Sequence, residues 1–252
     1  MSRNACLVYA HRGAHGGDPE NTLYAIRRSL AAGAPALEID VHRVGDELMV
    51  IHDRRLERRT DGNGPLTEYT FEDLRKLTAG AGETIPTLAE VLALVDARAI
   101  LNVELKGLRT AEPVALALNA CVESGRWRRE QFIVSSFNHR ELLAFGELAP
   151  GIPLAMLCEG VLVDMVQAAR TLKAGTVHLS LDFTDAALVA ELQRAGLKVA
   201  VYTVNQPDDM RRLLKAGVDA LITDELELAR EVCREEGRGE PEDPETAEQR
   251  TI

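Results

Sequence analysis

Along this chain, short apolar runs of strand length alternate with stretches of helical period, about eight times over. The runs are Cys6–Ala10, Ala36–Val41, Ala99–Leu105, Gln131–Ser135, Ile152–Leu157, Thr176–Ser180, Lys198–Val204 and Ala220–Thr223. Strands separated by helices pair in parallel, because the intervening helix carries the chain back across the sheet. Eight such units in 252 residues fit a closed (β/α)8 TIM barrel, an α/β fold in a single domain. An open doubly wound sheet is the main alternative. No GxGxxG follows the first strand, which argues against a dinucleotide-binding fold.

Local signals set the expected boundaries. Asp18 followed by Pro19 reads as an N-cap and first helical residue, with Leu23, Ile26 and Leu30 on one face and Gly33 ending the helix. Thr70 is expected to cap a helix over Phe71–Leu77. Thr87 and Glu90 have capping-box spacing for a helix through Val95, and Asn138 caps one through Phe145. A helix is expected over Val161–Leu172. Trp127, among Arg126, Arg128 and Arg129, reads as exposed. The barrel is expected over residues 1–233. Residues 234–252, with seven acidic and three basic residues, read as an acidic, disordered tail.

The stretch Leu37–Asp53 carries the most chemistry. Leu37, Ile39 and Val41 alternate with Glu38 and Asp40, so in a strand both carboxylates share a face. A turn at Gly45-Asp46 and a second run, Leu48–Ile51, then deliver His52. Paired carboxylates repel, so such a strand is either a solvated edge or a divalent-cation site. Other polar residues also fall at or just past strand ends: His11-Arg12, Glu104, Lys106, Ser135-Ser136, Glu159, His178, Tyr202, Asn205 and Thr223-Asp224. In a parallel barrel these ends meet at one mouth, where active sites lie. Glu38, Asp40 and Glu104 are hard oxygen donors suited to one Mg²⁺ or Ca²⁺ ion, with Mn²⁺ also possible. Arg12 and Lys106 suit phosphate oxygens, and His11 and His52 suit proton transfer near neutral pH. Together they form a kit for cleaving a phosphodiester. His178 alone reads as a partnered histidine, and Ser135 as a local hydrogen-bonding group.

The succession His11-Arg12-Gly13, Pro19-Glu20-Asn21-Thr22, Glu38-Ile39-Asp40, His52-Asp53, Glu104-Leu105-Lys106 and Tyr202-Thr203-Val204-Asn205 resembles the glycerophosphodiester phosphodiesterase family from Ala10 to about Asp224. The resemblance implies a TIM-type barrel that hydrolyses a small-molecule glycerophosphodiester to sn-glycerol 3-phosphate and an alcohol. The usual picture is attack by glycerol's own hydroxyl through a cyclic phosphate. It also implies roles: Glu38, Asp40 and Glu104 as metal ligands, His11 and His52 as the acid/base pair, and Arg12 and Lys106 as phosphate contacts. Glu20 matches a position beside the metal, as a possible outer ligand, and Asn21 orders its loop. Glu159, Tyr202 and Asn205 are expected in the substrate pocket. His42 shares the carboxylate face and reads as a neighbour rather than a ligand. Tyr202 stands where Trp is common, Glu225-Leu226 where an aromatic and Pro are common. Arg54–Glu83 is shorter than in some relatives, which suggests a site open to varied alcohols.

Charge and composition prune the rivals. With 29 Lys and Arg against 40 Asp and Glu, the net charge is −11. That argues against a nucleic-acid binder, which needs a basic face, and disfavours an anionic membrane. No run approaches a membrane span, and the N-terminal residues show no secretory h-region. Four widely spaced cysteines read as reduced core thiols, so the expected compartment is the cytoplasm. The second enzymatic reading is a phospholipase D or lyase acting on a lysophospholipid or related diester, and the non-enzymatic one is a barrel binding phosphate compounds. The latter would be expected to have lost a histidine or a carboxylate of the set, and none is missing. No long amphipathic stripe marks an oligomer interface.

Overall fold

The structure is a computed structural model that describes residues 5–13, 16–17 and 19–239. The strands are β1 (Leu7–Ala10), β2 (Ala36–Val44), β3 (Glu47–Val50), β4 (Ile100–Leu105), β5 (Phe132–Ser136), β6 (Leu154–Cys158), β7 (Thr176–Ser180), β8 (Lys198–Tyr202) and β9 (Ala220–Thr223). β1 pairs in parallel with both β2 and β9. From β2 the order β4-β5-β6-β7-β8-β9 is parallel throughout, so eight strands close into a TIM barrel. The ninth, β3, lies outside this ring. β2 overshoots the barrel, and β3 folds back antiparallel on the overshoot, Val41 opposite Val50 and Val44 opposite Glu47. This hairpin returns the chain to the mouth at His52.

The helices are α1 (Leu23–Ala31), α2 (Phe71–Leu74), α3 (Leu88–Val95), α4 (Ala111–Glu123), α5 (His139–Leu148), α6 (Met165–Leu172), α7 (Ala186–Arg194), α8 (Pro207–Ala216) and α9 (Leu226–Glu235). The main core lies between them and the outward face of the strands. There Ile39, Val103 and Val134 pack in one buried cluster with Ile26, Val91 and Phe145. Burying such side chains contributes roughly 1.5–3 kcal/mol each. A smaller cluster inside the barrel joins Tyr9, Ala36, Ala200, Ala220 and Ile222. A third, with Met49, Leu56, Leu66 and Leu74, anchors the segment between β3 and α3.

Several expected boundaries hold. Thr87 and Glu90 form the capping box of α3, and Asn138 caps α5. Others move. α1 starts at Leu23, with Thr22 accepting a hydrogen bond from the Ala25 N–H, and not at Pro19; Asp18 lies outside the described residues. The reason is Asn21, whose left-handed backbone (φ 57°) cannot join a helix. α2 ends at Leu74. α6 starts at Met165 because Asp164 sits outside helical dihedrals (φ −116°, ψ 39°), which leaves Val161–Val163 in an exposed loop. α9 runs on to Glu235, and Arg238 donates to the Leu214 and Val218 carbonyls. The expected tail beyond residue 239 lies outside the described residues.

Trp127 is buried, stacked on Phe132 with ring centroids 4.4 Å apart, while its arginine neighbour Arg126 reaches out to Asp96. The indole is the largest apolar surface in that turn, so burial wins over its charged neighbours. No disulfide forms among the described residues; Cys6, Cys158 and Cys233 are buried thiols. Among those residues, no helix is long and apolar enough to cross a membrane.

Candidate active site

The alternation in β2 turns Leu37, Ile39 and Val41 out to the helices and Glu38 and Asp40 into the barrel. The register sets Asp40 beside Glu104 of β4. Glu38, Asp40 and Glu104 are 4%, 1% and 7% exposed, and each has an oxygen within 4.8 Å of the others. This rules out the solvated-edge reading of β2. Burial, then repulsion from Asp40 and Glu104, pushes the Glu38 carboxyl well above the usual range. Burial and Asp40 push Glu104 up to about 7. Burial acts the same way on Asp40, but Lys106 and Arg12 outweigh it and hold that group low. Two of three carboxylates thus resist ionising together until a further cation arrives, and all three are hard oxygen donors. The set fits a divalent metal ion.

Around the carboxylates, each polar group is fixed by its own partners. His11 follows β1 and pairs through Nδ1 with Asp224 Oδ1 at 2.7 Å, its Nε2 lying 4.0 Å from Glu38 Oε2. Asn205 holds Asp224 by donating Nδ2 to Oδ2 at 2.7 Å, and Asn205 Oδ1 accepts from the Asp224 N–H at 2.9 Å. Arg12 takes a left-handed conformation (φ 56°), which turns its N–H onto Glu38 Oε2 at 2.9 Å. Gly13 follows with φ +60°; a Cβ there would stand 2.6 Å from Ile26, so the turn demands glycine. Asn21 donates to Asp40 Oδ2 at 2.9 Å and accepts from the Asp40 N–H, closing the loop onto the cluster.

His52, at the end of the β2–β3 hairpin, pairs through Nδ1 with Asp53 Oδ1 at 2.6 Å. Burial lowers its pKa, and the nearby Arg12 and Lys106 cations add to this against Asp40 and Asp53. Lys106 Nζ stands 2.8 Å from Glu104 and 3.5 Å from Asp40. A cavity of about 360 Å³ opens here between His52, Arg54, Glu104, Lys106 and Phe137. His42 bonds the His52 carbonyl through Nε2 at 3.1 Å, so it braces the backbone that carries His52.

The expected residues thus gather at one mouth, with qualifications. Glu20 is engaged by three guanidiniums, Arg12, Arg58 and Arg59, rather than turned to the carboxylates. Tyr202 sits in the mouth, donating its hydroxyl to the Cys158 carbonyl and meeting the Phe137 ring edge-on at 5.9 Å. Glu159 is exposed on the following loop. Burial raises the Tyr202 hydroxyl pKa, and the Glu159 charge adds to it. His178 is fully buried on β7 with neither ring nitrogen partnered, and Ser135 Oγ has no partner either, contrary to the expectation for both. Ser136 is the one that bonds, to the Leu105 carbonyl. Sequence reading missed Arg58, Arg59 and the pairing roles of Asp53 and Asp224. Asp53 and Asp224 were visible as acids beside a histidine or a strand end; the arginines carried no such signal.

A sequence profile of the Glycerophosphoryl diester phosphodiesterase family matches residues 11–228. The chain belongs to that family. It is 35% identical to a glycerophosphodiester phosphodiesterase of Caldanaerobacter subterraneus over 92% of this chain and 99% of that protein. To one of Bacillus altitudinis it is 33% identical, over 86% and 94% respectively. An Oleispira antarctica phosphodiesterase, solved with its product sn-glycerol-3-phosphate, superimposes with a TM-score of 0.84 at 28% identity, covering 91% of this chain and 97% of that one. The chain is therefore a phosphodiesterase on a TIM barrel, and the mouth just described is the candidate site of a family enzyme.

Proposed function

We propose that this phosphodiesterase hydrolyses glycerophosphodiesters to sn-glycerol 3-phosphate and an alcohol, using one divalent cation, Mg²⁺ or Ca²⁺, and His11 and His52 as the acid/base pair. One observation carries the reading: two histidines, each tied at Nδ1 to its own carboxylate, border one buried cluster of three acids. A carboxylate on Nδ1 fixes the tautomer and leaves Nε2 for proton transfer. Glu38, Asp40 and Glu104 would hold the cation, which supplies charge neutralisation at the phosphate.

The protein's own groups do the rest. Arg12 and Lys106 bind phosphate oxygens as charged donors. His52, kept neutral by burial and its cationic neighbours, takes the proton of a glycerol hydroxyl as that oxygen attacks phosphorus. His11 gives a proton to the departing alcohol oxygen as the P–O bond breaks. Water then opens the cyclic phosphate, with the histidines in reversed roles. Asp53 and Asp224 hold the two rings. Glu20 positions Arg12, and Asn21 orders the loop beside Asp40. Tyr202, Asn205 and Glu159 line or border the substrate side.

The test is release of glycerol 3-phosphate from glycerophosphocholine and glycerophosphoethanolamine, after chelation and then with Mg²⁺, Ca²⁺ or Mn²⁺ restored. Release that returns with metal supports the reading, and the ranking of ions identifies the cofactor. Folded protein that releases nothing with any ion would overturn it. A strict preference for one head group would contradict the open-site expectation.

A further inference from the structure

The interior of a closed barrel is filled by side chains in layers of four, drawn from alternate strands. The strand registers place Glu38 of β2, Ser135 of β5, His178 of β7 and Ile222 of β9 in one layer. Tyr9 of β1, Asn102 of β4, Ala155 of β6 and Ala200 of β8 form the layer beneath. The Tyr9 and His178 rings lie 6.4 Å apart although β8 and β9 separate their strands, so that contact crosses the interior. Three side chains of these two layers carry orphaned polar atoms. Among the described residues, no protein group bonds Asn102 Oδ1, Ser135 Oγ or either ring nitrogen of His178. The three residues are 1%, 0% and 0% exposed. A buried polar group left without a partner costs free energy, and few remain in a folded protein. Ala155 and Ala200 end at Cβ, so the lower layer does not fill the axis as four branched side chains would.

The donors and acceptors specify the ligand. Asn102 Oδ1 accepts, the Ser135 hydroxyl does both, and a neutral imidazole donates from one ring nitrogen and accepts at the other. Burial keeps the His178 ring neutral by driving its pKa down to about 4. The charged member of the layer, Glu38, is already engaged by the Arg12 N–H at 2.9 Å. A small neutral ligand that both donates and accepts is called for, and water is one. Buried waters typically make about three hydrogen bonds, which matches three side chains facing one space. We infer that the barrel interior binds an ordered water cluster joining His178, Ser135 and Asn102. Asp40 and Glu104 lie two residues nearer the mouth than Glu38 and Asn102, so the cluster gives the carboxylate site a polar floor where an aliphatic one would be usual. It takes no part in the reaction proposed above and holds whether or not that proposal does.

The experiment is a crystal structure of the wild-type protein at a resolution that shows ordered water. It is joined to denaturant titrations, above neutral pH, of the wild type, Ser135→Ala, His178→Leu and the double variant. Density should bridge a His178 ring nitrogen to Ser135 Oγ, with a water also on Asn102 Oδ1. Each single variant should lower the folding equilibrium constant by about fivefold, the worth of a typical hydrogen bond. The double variant should depart from the product of the two by about threefold or more. Such coupling between β5 and β7, with β6 between them, is what shared water produces and separate side chains do not. An interior without density, together with variants that are neutral or more stable, would overturn the inference, because an apolar group in place of an orphaned polar one relieves its desolvation cost. Waters on single side chains with strictly multiplicative losses would also overturn it, since no cluster would join the three. Should a variant fail to fold, the wild-type density decides alone: bridging water upholds the site and its absence refutes it.

Discussion

The two halves of the barrel mouth are built on opposite principles. On the side of β1, β2, β3 and β9, the polar side chains are fixed by one another. His11 is held by Asp224, Asp224 by Asn205, His52 by Asp53, and Glu20 by three arginines. On the side of β4 to β7, the loops present Leu108, Val161–Val163 and Phe183 to solvent. The first half is preorganised, as proton transfer and phosphate binding demand, since a loose donor or acceptor loses most of its value. Apolar surface is non-directional, so the side chains of the second half need no such mutual fixing. Phe137 stands at the border, against Lys106 and Tyr202.

The largest effect should come from breaking the polar half. His11→Ala and His52→Ala should each lower kcat by about 10²–10⁴-fold and leave metal affinity near wild type by calorimetry; wild-type rates in both would refute the acid/base assignment.

Below the apolar half, His178 offers the next test. Burial drops its pKa from 6.5 to about 4. The unfolded chain therefore binds a proton that the folded one refuses between those values, and folding weakens as pH falls from 6.5 toward 4. The loss should total about 3 kcal/mol, at 1.36 kcal/mol per unit. Denaturant titrations at pH 7 and 4.5 would measure it, and His178→Leu should flatten that part of the pH dependence.

Metal affinity tests the polar half from another direction. Glu104, pushed up to about 7, must lose its proton to bind a cation. Mg²⁺ or Ca²⁺ affinity should fall by about tenfold per unit as pH drops below 7, if one proton is released. An affinity flat from pH 8 to 5.5 would show that the carboxylates ionise freely without metal.

Glu20→Gln removes the charge that three arginines share. KM should rise about tenfold, with a smaller change in kcat, because a misplaced Arg12 weakens phosphate binding. The reverse pattern, kcat falling with KM constant, would tie Glu20 to the chemical step instead. The smallest effect belongs to the exposed loops. Val163→Ser should change stability by no more than about 0.5 kcal/mol, as thermal denaturation would show. A larger loss would mean that the Val161–Val163 loop is structural.

Much of this protein was legible before folding, because its signals are local. The alternation Leu37–Val41 puts two carboxylates on one face whatever surrounds the strand, and the repeated strand-then-helix rhythm specifies a parallel barrel whose strand ends converge. Thr87 with Glu90, and Asn138, cap their helices by contacts within four residues. The errors arose where long-range contact overrode a local preference. Asn21 is drawn into a left-handed turn by Asp40, nineteen positions on, and so shifts the start of α1. Trp127 is buried because Phe132 offers it a face. Nor could the sequence show that Arg58 and Arg59, brought across by the hairpin and the segment after it, join Arg12 on Glu20. The sequence by itself determined the barrel, the carboxylate face and the kinds of groups at the mouth, since these follow from periodicity and residue chemistry. Only the tertiary structure decided which acid holds which histidine, that neither ring nitrogen of His178 finds a hydrogen-bond partner among the described residues, and that the mouth divides into a polar and an apolar half. Those facts depend on which strand ends become neighbours when the sheet closes.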